Sequence, residues 1–110
     1  MKTIKAFFLS ILLIFTASIS AAKVQTGIEV LRADGFKLLE GKRVGLTTNP
    51  TGVDSNLKST IDILWEAENV NLVALYGPEH GVRGNVHAGD VVDNEVDKKT
   101  GLKMYSLYGK

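Results

Sequence analysis

The chain of 110 residues contains no cysteine. That excludes a disulfide framework, a thiolate metal site and a lipid-bearing cysteine at a processing site. Proline is scarce, and its two copies, Pro50 and Pro78, fall in two polar loops that also carry glycine. No basic stripe is present, so nucleic acid is not an expected partner. Glycine is plentiful, but no Gly-x-Gly-x-x-Gly follows a strand and no Gly-Lys-Ser/Thr follows a glycine loop. Dinucleotide and phosphate-loop chemistry are disfavoured accordingly. His80 and His87 lie seven residues apart, without His-Glu-x-x-His or a comparable spacing. Neither a metal nor another cofactor is expected, and His87 reads as an ordinary loop histidine.

What is present begins with an export signal. Lys2 and Lys5 precede an apolar run from Ala6 to Phe15, and small residues follow to Ala22. That order predicts a signal peptide over residues 1–22, cut after Ser20 or Ala22. The run is shorter than the roughly 20 residues that span a bilayer, so no stable membrane insertion is expected after cleavage. The mature protein should be exported, to the periplasm or beyond. Removal of Lys2 and Lys5 leaves 11 bases against 12 acids. About 88 mature residues can form one small domain, but a marginal one. The chain also stops at a strand-like stretch without a covering helix. It therefore reads as the amino-terminal piece of a longer protein.

Residues 23–110 alternate between strand and helix patterns. Ile28, Val30, Leu31, Phe36, Leu38 and Leu39 suggest a helical or irregular opening, broken at Asp34-Gly35. After the turn at Gly41-Lys42, Arg43 to Thr48 reads as a strand. Asn49 to Asp54 is loop chemistry. Leu57, Ile61, Leu64 and Trp65 lie on one face of an expected helix, begun by Asp54 or Ser55 and ended by Asn69. Asn71 to Tyr76 is almost wholly apolar, as in a strand buried on both faces of a parallel sheet. Asn85 to Thr100, with Asp90, Asp93, Glu95 and Asp97, reads as a surface excursion. Leu102 to Tyr108 is a candidate third strand. The expected fold is α/β, a Rossmann-like parallel sheet built from a βαβ unit and incomplete as it stands.

In a βαβ unit both strands point their carboxyl ends to the same edge. The loop from Asn49 would then lie beside the loop from Gly77. Ligands collect at that edge in α/β proteins. The second loop reads Gly77-Pro78-Glu79-His80-Gly81-Val82-Arg83-Gly84, an acid, an imidazole and a guanidinium among glycines. Glycoside hydrolysis suits these groups, because it needs a carboxyl group to protonate the leaving oxygen. Glu79 could be that acid, His80 could orient the sugar, Arg83 could pair with a substrate carboxylate, and Asn49 could bond a hydroxyl or an N-acetyl carbonyl. Spacing leaves plainer roles open: Asn49 as a turn former, Arg83 as an ion-pair partner, Glu79 as a cap. A non-catalytic sugar-binding module and a metal-dependent hydrolase are the competing functions.

Two long segments, Gly41 to Gly52 and Leu75 to Gly84, resemble the bacterial exo-β-N-acetylmuramidase family (NamZ-type). Gly27-Ile28-Glu29-Val30-Leu31, Ser59-Thr60-Ile61-Asp62 and Ser106-Leu107-Tyr108-Gly109 extend the resemblance over Thr26 to Gly109. The resemblance implies a Rossmann-like domain followed by a carboxyl-terminal domain missing here, with the active site between them. It implies release of terminal, non-reducing N-acetylmuramic acid from peptidoglycan fragments. It puts the catalytic acid at Glu79 and substrate contacts at Asn49, His80 and Arg83. These residues alone, without the second domain, are expected to show little activity.

Overall fold

The computed structural model describes residues 23–78, 81–84 and 95–107. The expected signal peptide at 1–22, the pair Glu79 and His80, His87, Asp90 and Asp93, and the expected end of the third strand at Tyr108 lie outside the described residues.

The first helix among the described residues is α1, Gly27–Ala33. The Glu29 carboxylate reaches back to the Thr26 N–H at 2.7 Å and the Thr26 hydroxyl at 2.9 Å, which satisfies a donor the helix start leaves open. The helix stops where expected, at Asp34-Gly35. Phe36 then takes a positive φ of 57° and buries its ring in the core. A short 3₁₀ turn, Lys37–Leu39, leads into β1, Arg43–Thr47.

Helix α2 is shorter than its periodicity suggests, Thr60–Trp65. Ser59 begins it, its hydroxyl accepting from the Ile61 N–H at 3.2 Å, in place of Asp54 or Ser55. Asp54 is otherwise engaged: its carboxylate accepts from the N–H groups of Asn56 and Lys58 and from Arg32. Those bonds hold residues 54–58 in a loop that returns so that Val53 bridges Ser59. Leu57 sits in that loop at φ 62° and faces solvent, and Trp65 is 44% exposed. Asn69 does not end the helix, which closes at Glu66; its amide donates to the Gly35 carbonyl instead.

Strands β2, Asn71–Gly77, β3, Glu95–Val96, and β4, Lys103–Ser106, complete one sheet of order β1-β2-β4-β3. β1 with β2 and β2 with β4 are parallel, and β3 with β4 is antiparallel. The result is a mixed α/β sheet with mostly parallel strands, compatible with a Rossmann-like domain. The expected surface excursion therefore supplies an edge strand. Register sets Leu46 beside Leu75 and Leu75 beside Met104, and parallel neighbours share a face. Phe36, Ile61, Ile63, Leu64, Leu72 and Val82 join Leu75 and Met104 in a single core. Ile61 and Leu75 are fully buried, each contributing about 1.5–3 kcal/mol on transfer from water. Tyr76 and Tyr105, also register partners, stack at 5.3 Å between ring centroids.

Candidate active site

The parallel pairing of β1 and β2 delivers two turns to one edge. The Thr48 N–H donates to the Tyr76 carbonyl at 3.0 Å, so the strands stay joined up to the first turn. There the Asn49 carboxamide oxygen accepts from the Thr51 N–H at 3.1 Å and the Thr51 hydroxyl at 2.8 Å. This is the turn-forming role that spacing left open, an Asx turn. The Gly52 N–H closes back on the Asn49 carbonyl at 3.0 Å, and the Thr60 N–H donates to the Gly52 carbonyl at 2.9 Å. The turn is thereby tied to the first residue of α2.

In the second turn, a Cβ placed on Gly77 would lie 3.2 Å from the Gly81 backbone and from Val82 Cγ1. The chain folds back closely enough that a side chain here would press the neighbouring backbone aside by a few tenths of an ångström. The Gly81 N–H reaches the Pro78 carbonyl at 3.4 Å, and Val82 points into the core. Gly84, at φ +76°, packs on the first turn: its ideal Cβ would lie 3.0 Å from Pro50 Cγ. Described parts of the two turns are therefore in contact.

Arg83 is clasped from both sides. Its Nε donates to Asp97 Oδ1 at 2.6 Å, and its Nη2 to Asp97 Oδ2 and Asp62 Oδ1, both at 2.9 Å. Lys99 donates to the other Asp62 oxygen at 2.5 Å. Asp97 also accepts from the Thr100 N–H at 3.1 Å and hydroxyl at 2.7 Å. Asp97 is buried, not the surface residue the sequence suggested. Hydrogen bonds from Arg83, then Thr100, hold its carboxyl below the usual range against the opposing effect of burial. Burial acts to raise Asp62, but the bonds from Lys99 and Arg83 outweigh it and the net direction is down. The bond to Asp97 is the main reason the Arg83 guanidinium is held more firmly protonated than usual. The ion-pair role for Arg83 is thus the one the geometry displays.

Sequence reasoning missed Asp62 and Asp97 as its partners. The Asp97-x-x-Thr100 spacing was the one local signal, since an aspartate accepting from a residue three positions on is a recurrent turn pattern. Beside the clasp lies an open cleft of about 370 Å³, lined by Arg83, Asp97, Lys99 and Met104 among others. A second, more apolar cleft of about 420 Å³ runs from α1 to the first turn, with Thr47, Thr48 and Thr51 at one end. Among the described residues no group of three or more acidic, histidine or cysteine side chains could hold a metal.

The sequence model of a family described as "Exo-beta-N-acetylmuramidase NamZ, N-terminal" matches residues 44–110, a span that takes in both turns and the clasp. The chain belongs to this family. It is 49% identical, over 121 aligned positions covering 99% of this chain and 29% of the relative, to the peptidoglycan beta-N-acetylmuramidase NamZ of Bacillus subtilis (strain 168). Among solved structures it is similar to a DUF1343 family protein from Bacteroides fragilis NCTC 9343, at 71% identity and a TM-score of 0.69, covering 78% of this chain and 21% of that one. The chain thus spans less than a third of the length of these relatives.

Proposed function

We propose that the chain is part of an exo-acting glycoside hydrolase that removes terminal, non-reducing N-acetylmuramic acid from peptidoglycan fragments. The observation that carries this is the family match running through both turns, which parallel strands bring side by side. Glu79 is the general acid of this reading. It gives its proton to the glycosidic oxygen as the bond from that oxygen to the sugar's anomeric carbon breaks, and water supplies the new hydroxyl. Substrate contacts fall to His80 and to Asn49, whose amide nitrogen can donate to a hydroxyl or acetamido carbonyl while its oxygen holds the turn. Arg83, its fork engaged by Asp97 and Asp62, is assigned to holding the turn and not to gripping a substrate carboxylate. The fold is the sheet-forming part of a Rossmann-like domain, and residues 1–22 direct export to the compartment where peptidoglycan lies.

Glu79→Gln in the full-length protein of which this chain is part tests this on a chromogenic N-acetylmuramic acid glycoside. Loss of the acid should lower kcat by about 10²–10⁴-fold while sugar binding is largely kept. An unchanged rate would remove Glu79 from the chemistry. Sugar binding without turnover by the unaltered full-length protein would favour the binding-module alternative.

A further inference from the structure

We propose that Asp97 is a positioning residue, which acts through Arg83 to fix the turn after β2 against α2 and the Asn49 turn. The proposal rests on the glycosidase reading above.

Three consecutive residues anchor the turn in three directions. Val82 enters the core, Arg83 is clasped by Asp97 and Asp62, and Gly84 abuts Pro50. Of these anchors, only the middle one is ionic and directional. Asp97 meets Nε and Nη2 with both its oxygens, a paired geometry that fixes orientation as well as distance. Nη2 then spans to Asp62 on α2. The partners lie 14 and 21 residues away in sequence, so the clasp serves tertiary placement and not a local turn. The two Thr100 bonds to Asp97 supply the contrast, because they close the turn at 97–100 and reach no other element. Asp97 therefore has a local role and a remote one, and these can be separated.

The full-length protein is measured as Asp97→Asn, Thr100→Ala and Glu79→Gln beside the unaltered protein, on the chromogenic muramic acid glycoside. Displacement of a reacting group by about 1 Å costs up to about 100-fold in rate. D97N should accordingly lower kcat about 10- to 100-fold with KM changed less than about threefold. It should also move the alkaline limb of the kcat–pH profile to lower pH, because a less neutralised Arg83 favours ionisation of Glu79, four residues away in sequence. T100A should lower the urea midpoint yet leave kcat and the limb in place. D97N with kcat within about twofold of the unaltered chain and an unmoved limb, beside an inactive E79Q, would overturn the positioning role and leave the glycosidase reading standing. A fully active E79Q would sink that reading, and this inference with it. Should D97N fail to fold, Arg83→Lys decides, since it keeps the charge and loses the fork: a fall in kcat at unchanged KM supports the role, and an unchanged kcat overturns it.

Discussion

Gly84 and Gly101 form a natural pair for asking whether the two turns brace each other. Both have positive φ, +76° and +73°. Alanine at either position must adopt a backbone that L-residues disfavour, at about 1–2 kcal/mol. Their surroundings differ. A Cβ on Gly101 meets nothing within 4 Å, whereas one on Gly84 lies 3.0 Å from Pro50 Cγ and 3.3 Å from Pro50 Cβ. Ordinary carbon contacts sit at about 3.5–4.0 Å, so the proline ring must retreat by several tenths of an ångström. Overpacking in a core costs about 1–3 kcal/mol; Pro50 is exposed and can yield, which puts the extra loss near the lower end, about 1 kcal/mol. Gly84→Ala should therefore be less stable than Gly101→Ala by about 1 kcal/mol, read from urea midpoints at matched slopes. It should also lower kcat/KM on the muramic acid glycoside, while Gly101→Ala leaves it unchanged. Equal stabilities together with equal activities would refute the bracing, because the Pro50 contact would then yield without consequence.

Two other perturbations probe the scaffold. Ile61 is fully buried against the sheet, so Ile61→Ala should lose about 2–5 kcal/mol in urea unfolding, and the half-exposed Trp65 distinctly less on truncation. Glu29 accepts from Ser55 and from Thr26, bonds that lower its carboxyl from 4.5 to about 2. The folded state thus favours the ionised form: its contribution is complete above pH 4.5 and drains away as pH falls towards 2. Urea midpoints of the unaltered chain and Glu29→Gln should accordingly converge over that interval, and a constant gap down to pH 2 would contradict the assignment.

Periodicity made the central unit legible. The run Asn71 to Tyr76 is apolar enough to require burial on both faces, and Arg43 to Thr48 is short, β-rich and bounded by turn residues. Their parallel pairing followed because a helix stands between them. The helix itself was misjudged at its start. Leu57 fits the apolar spacing, yet Asp54 captures two backbone N–H groups and an arginine, and that local competition outweighs one more hydrophobic residue in register. β3 was illegible for the opposite reason: Glu95 and Val96 carry no apolar pattern, and they pair only because β4 offers an open edge.

The site divides along the same line. Motif spacing identified the two turns because glycine and proline write backbone geometry directly into sequence. It could not decide what Arg83 does, since a guanidinium among glycines suits a ligand and an internal carboxylate equally well. The decision lies in Asp62 and Asp97, brought from different elements by the sheet order β1-β2-β4-β3. β4 must pair with β2 before the turn at 97–100 can stand beside the turn after β2. A charged residue's role is thus fixed by topology where a glycine's is fixed by its own φ and ψ. For this chain the consequence is specific: the arginine that most resembled a substrate contact has its fork directed into the protein, held by Asp97 and by Asp62 on α2.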